Sequence, residues 1–144
     1  LVGKCEEAFI HYMNQKFKDY PDLKNRINIT GEIIDKNKLT EIYKLSNIMV
    51  LPSKYESFAL VNVEAMLNGC RLLLSDQVSP AEDFKQLGDF CQIVEYGNIT
   101  QLAEKMLNMS QCEYDANKIA NVAVDNFLWT KICGKLDELI LKCK

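Results

Sequence analysis

From residue 48 to residue 94 the chain alternates short apolar runs with longer stretches of helical periodicity. Ile48-Met49-Val50-Leu51 is apolar without a break and stops at Pro52. A helical stretch follows to Asn68, with Gly69 placed as its C-terminal cap. Leu72-Leu73-Leu74 repeats the apolar run, Ser79-Pro80 opens a short helix bearing Phe84 and Leu87, and Phe90 to Val94 makes another run. Strands this apolar offer no face to water. Alternation of such strands with helices is the pattern of a parallel sheet covered by helices. The predicted fold class is therefore α/β, a doubly wound parallel sheet of Rossmann-like type.

The rest of the chain extends that pattern. Leu1-Val2-Gly3 is expected to end one strand, and Ile27-Asn28-Ile29-Thr30 to form another, closed by Gly31. A helix is predicted over about 4–19, with Ala8, Phe9, Tyr12, Met13 and Phe17 on one face. Asp35 caps a helix to about Ser46, with Leu39, Ile42, Tyr43 and Leu45 turned inward. Helices over about 99–109 and 115–142 finish the chain, the second broken near Trp129. With 144 residues, the whole of 1–144 is expected to form one domain.

Composition removes several function classes. The net charge is −3, and 17 basic residues stand against 20 acids. Lys16, Lys18, Lys24 and Arg26 come nearest to a basic cluster, but Asp19 and Asp22 interrupt it. A dedicated nucleic-acid binder, which carries a clustered basic face, is disfavoured. No apolar run approaches the roughly 20 residues that span a bilayer. Six cysteines occur without a CxxC pair, which suits reduced thiols in a cytoplasmic protein better than a disulfide framework. His11 is the only histidine, and its place on a helix between Ile10 and Tyr12 reads as structural.

Parallel sheets of this kind bind ligands beyond the carboxyl ends of their strands, where loops lead into helix N-termini. The loops at Gly3, Gly31, Pro52–Ser57 and Ser75–Pro80 would gather there. Two acids then stand out in LPSKYESFALVNVEAMLNGC: Glu56 at the mouth of the helix, and Glu64 inside an almost wholly apolar run. If the helix starts near Ser57, the two are roughly 12 Å apart along its axis. Paired glycosidase carboxylates stand about 5 to 9.5 Å apart, so a two-carboxylate hydrolase is disfavoured. Between the acids lie the free N–H groups of the first turn, around Phe58 to Val61, which favour an anion. A sugar, a phosphate and a ribose in that order would fill the arrangement, as in a nucleotide-sugar. The plainer alternatives stay open: Glu64 pairing with a lysine or with Arg71 or reaching solvent, and Glu56 as a solvated loop acid.

The same stretch resembles the nucleotide-sugar-binding motif of the large retaining glycosyltransferase family with the GT-B fold, glycosyl transferases group 1. Pro52, Ser53, Glu56, Phe58, Leu60, Val61, Glu64, Ala65, Met66 and Gly69 match that motif. Ile29-Thr30-Gly31 before it and Ser75-Asp76 after it agree in order. The resemblance implies that Glu56, as the catalytic residue, contacts the donor sugar, and that Glu64 holds both ribose hydroxyls as a buried acid. It implies that the amides near Leu60 and Val61 face the diphosphate, and that Thr30, Gly31 and Glu32 line the base. Ser53 and Tyr55 would shape the loop, with Phe58 and Ala59 completing the donor-binding set.

The family pattern also implies no metal and no cofactor, the nucleotide-sugar (a UDP- or GDP-sugar) being a substrate. Relatives carry a further strand and helix with an Arg and a Lys, and a whole N-terminal domain that binds the acceptor. The chain is therefore expected to be the C-terminal, donor-binding half of such an enzyme, inactive alone. Its acceptor would be a saccharide or lipid-linked saccharide, and any peripheral membrane association would run through other regions, at the inner face. Ser57 and Ala59 stand where glycines are frequent, Gly69-Cys70-Arg71 replaces Gly-x-Pro, and Gln77 to Glu82 replaces a glycine pair. That last form is similar to members that build bacterial capsular or exopolysaccharide. The alternative from another class is a non-catalytic doubly wound module that regulates or binds protein.

Overall fold

A computed structural model describes residues 1–57 and 59–142, without the side chains of residues 135, 139, 140 and 142. Phe58 lies outside the described residues. The chain divides into two compact units, Leu1–Glu41 and Ile42–Lys144.

In the first unit, α1 (Glu7–Asp19) is followed by α2 (Pro21–Arg26), whose proline sits in its first turn. Pro21 is pre-organised for a helix start and lacks the N–H that would be orphaned there. After Tyr20 the chain therefore begins a new helix at once. Met13 is the buried residue of α1, whereas Phe9 and Tyr12 of the predicted inner face are exposed.

The two expected strands of this unit are a correction. Val2 and Gly31 make only a single parallel bridge, with Gly3 N–H donating to the Gly31 carbonyl at 2.9 Å and Thr30 N–H to that of Leu1 at 3.0 Å. The segments run alongside one another for too few residues to build a ladder, and both Leu1 and Val2 are exposed. Gly31 takes φ +71°, a conformation that disfavours any side chain.

α3 (Lys36–Leu45) begins as expected, with the Asp35 carboxylate accepting from the N–H of Asn37 at 2.9 Å. Its Leu45, predicted inward, is exposed because it lies in the last turn, beyond the packed stretch.

The second unit holds a sheet of parallel strands in the order β1 (Ile48–Leu51), β2 (Arg71–Ser75), β3 (Cys91–Val94). Met49 pairs with Leu72, and Leu72 with Cys91, so the strands run in step. β2 is buried throughout and directs alternate residues to opposite faces. Leu72 and Leu74 join a core with Val63, Met66, Phe84 and Ile119, while Leu73 joins Val94 and Met109 in a second core. These residues come from α4 (Leu60–Leu67), α5 (Ala81–Gln86) and α7 (Ala116–Phe127) on one side, and from α6 (Ile99–Gln111) on the other. Helices on both faces make the sheet doubly wound, as predicted. The closing helical stretch breaks at Leu128 into α7 and α8 (Trp129–Lys142). Of the described cysteines, Cys70 and Cys91 are buried, while Cys112 and Cys133 are exposed.

Candidate active site

α4 is short because both of its ends are built by special backbone. At its C-terminus Gly69 has φ +82°, its N–H donates to the Met66 carbonyl at 2.9 Å, and Cys70 N–H donates to Ala65 at 2.9 Å. This double bond pattern is the Schellman motif. At its N-terminus Ala59 stands at φ 52°, the one described non-glycine residue with positive φ. The helix therefore begins at Leu60, later than the expected Ser57. A left-handed residue at the cap turns the chain sharply and cannot continue a helix backwards.

That shift alters the geometry of the two acids. Glu56 lies ahead of the first helical residue and Glu64 about one turn beyond it, so only part of the stretch between the two acids is helical. Among the described residues no side chain caps the N-terminus of α4, and Leu60 and Val61 of the first turn are exposed. The first-turn amides and the positive helix end are thus left without a side-chain acceptor.

Glu64 is exposed, not buried, and this corrects the expectation of an acid inside the core. α4 packs on α7 and β2 through Asn62, Val63, Ala65 and Met66, which leaves Leu60, Val61, Glu64 and Leu67 on the outer face. An apolar sequence therefore hides a helix with a real outer stripe. Glu64 does not pair with Arg71. Its Oε2 accepts from the Tyr43 hydroxyl at 3.2 Å. Burial, then the charge of Glu64 and the hydrogen bond to it, push the Tyr43 phenol from the usual 10.0 up to about 12. Tyr43 consequently stays protonated and remains a donor. Asn68, on the same stripe, donates to the Glu64 backbone carbonyl at 2.9 Å. Its amide thus serves the end of α4.

Arg71 is buried elsewhere, over the Tyr114 ring at 4.1 Å and donating to the Cys112 carbonyl at 3.3 Å. Asn62 is wholly buried, and neither its amide nitrogen nor its oxygen has a partner among the described residues. Such a group costs about 1–3 kcal/mol, so the first turns of α4 are not built for maximum stability.

Glu56 is half-buried in the loop after β1, where its Oε1 accepts from the Ser53 hydroxyl at 3.2 Å. A parallel bridge joins Glu56 to Val78, extending the β1–β2 pairing past the strands into the loops. The structure thus gathers Ser53, Glu56, Ala59, Leu60, Val61 and Glu64 around the mouth of one helix. Gly31, with Thr30 and Glu32, belongs to the first unit.

Sequence reasoning missed Tyr43, which it placed only as a core residue of α3. Its contact with Glu64 links helices far apart in sequence, and no local periodicity signals it. It also missed the left-handed backbone of Ala59, for which the substitution of a frequent glycine was the one available hint.

No curated protein matches the chain. Among solved structures, sucrose-phosphate synthase from Thermosynechococcus elongatus matches with a TM-score of 0.74 at 22% identity, over 99% of this chain. The chain spans only 37% of the length of that protein. At this identity the likeness concerns the fold, that of part of a GT-B glycosyltransferase. The family model described as glycosyl transferases group 1 matches residues 13–124, well over half of the chain, and the chain therefore belongs to that family.

Proposed function

We propose that this chain is the donor-binding part of a retaining hexosyltransferase that uses a nucleoside-diphosphate sugar. The observation that carries the reading is the pair Glu56 and Glu64 flanking a helix N-terminus with no side-chain cap. On this reading Glu56 faces the transferred sugar, and Glu64, steadied by Tyr43, receives the ribose hydroxyls. The amides of Leu60 and Val61 meet the diphosphate, and Ser53 and Ala59 shape the pocket around them. The bond from the anomeric carbon to phosphate breaks, the nucleoside diphosphate leaves with the electron pair, and an acceptor hydroxyl forms the new bond and passes its proton to the departing phosphate oxygen. The helix end stabilises the charge that develops on phosphate, so that no metal is required of this chain.

The loop Gln77 to Glu82, with its departure from the glycine pair, supports an acceptor class of bacterial surface saccharides or lipid-linked saccharides. Such a reaction would run on the cytoplasmic side, at the inner face of the membrane. No helix among the described residues is long and apolar enough to cross a membrane.

Kinetics of the full-length enzyme test the two acids separately. Glu56→Gln should lower kcat at least tenfold while KM for the donor changes little, because that contact tightens in the transition state. Glu64→Gln should raise donor KM about tenfold with little change in kcat, because ribose is held alike before and during reaction. Small and equal effects from both would return the two residues to solvated acids. The anomeric configuration of the product, read by NMR, tests retention.

A further inference from the structure

The loop that presents Glu56 is held by a residue outside it. Ser75 ends β2 and is completely buried. Its hydroxyl donates to the Ser53 carbonyl at 2.6 Å and accepts from the Gln77 N–H at 3.1 Å. Ser53 in turn donates through its own hydroxyl to Glu56. Further along, Val78, itself buried, bridges to Glu56 and donates its N–H to the Ser75 carbonyl at 3.1 Å. Both ends of the segment Ser53–Glu56 are therefore fastened to the turn that leaves β2, and Ser75 is common to the fastenings.

We infer that Ser75 is a positioning residue for Glu56, its buried hydroxyl setting the height of the Glu56 loop above the sheet. A short bond donated by a buried hydroxyl sits in a low-dielectric place, where its loss leaves a carbonyl and an N–H unpaired. The loop can recover those bonds only by moving toward solvent. A displacement of about 1 Å at a reacting group costs about a hundredfold in rate. Glu64 stands on α4, which packs on α7 and β2, so the nucleotide end should not feel the change. This inference rests on the reading that Glu56 acts on the transferred sugar.

The test is a double-mutant cycle in the full-length enzyme. Ser75→Ala should lower kcat by about 10- to 100-fold, with donor KM and nucleotide Kd within about threefold. Ser75→Cys fills the site with a slightly larger side chain but loses the strong donor, and should behave alike should the alanine variant fold poorly. Ser75→Thr keeps the hydroxyl and should hold kcat within about threefold of the parent. In a Glu56→Gln background, Ser75→Ala should lower kcat by less than about threefold, because the group it positions is already disabled. An equally large loss in both backgrounds, or no recovery by threonine, overturns the role of Ser75 while leaving that of Glu56 intact. A Glu56→Gln variant with normal kcat overturns the underlying reading instead.

Discussion

Ala59 and Gly69 bracket α4 with the same backbone sign but unequal tolerance. Gly69 is required twice over, since a Cβ there would come within 2.7 Å of the Ala116 Cβ. Gly69→Ala should therefore lose about 2–4 kcal/mol, combining left-handed strain with a clash against α7. At Ala59 the left-handed backbone already costs about 1–2 kcal/mol, which a glycine would relieve. Glycine would also lose a buried methyl and add freedom to the unfolded chain, together of similar size. Ala59→Gly should therefore leave stability within about 1 kcal/mol of the parent. Urea unfolding of the two variants measures the contrast directly. Near-equal losses would contradict the account of how α4 starts and stops.

At the scale of elements, the helices and the buried strands of the second unit were legible, and the two short segments expected as strands in the first were not. Buried strands such as β2 and the caps Asp35 and Gly69 are local signals, and each element appears where they place it. The start of α4 was misplaced because alanine seldom takes a left-handed backbone, and its standing at a frequent glycine position was the one hint of it. Glu64 was misjudged because burial on a helix depends on which face meets α7 and β2, and hydrophobicity alone does not choose between faces. Leu1–Gly3 and Ile27–Thr30 have strand composition, yet they pair over too short a length to become strands. The coupling of α3 to α4 has a measurable consequence. The raised pKa of Tyr43 stabilises the fold below pH 10, and that contribution is lost as pH rises toward about 12, where the folded form deprotonates too. Cys91, pushed by burial from 9.0 to about 12, acts with the same sign from a lower pH. Chemical unfolding should show stability falling across this alkaline window. Tyr43→Phe should flatten only the portion above about pH 10, and an unchanged slope would remove the Tyr43–Glu64 pair from the account.

At the scale of the whole molecule, the chain covers 37% of the sucrose-phosphate synthase it matches in fold. Rate acceleration in group transfer depends on orienting two reactants, and the acceptor's orientation is proposed to lie elsewhere. The central claim is that the mouth of α4 holds a nucleoside diphosphate. Backbone amide NMR of the isotope-labelled chain, titrated with UDP and with GDP, tests it most directly. The account predicts weak, saturable shifts concentrated at Leu60, Val61 and Glu64. Shifts confined to other surfaces, or none at millimolar nucleotide, would contradict it.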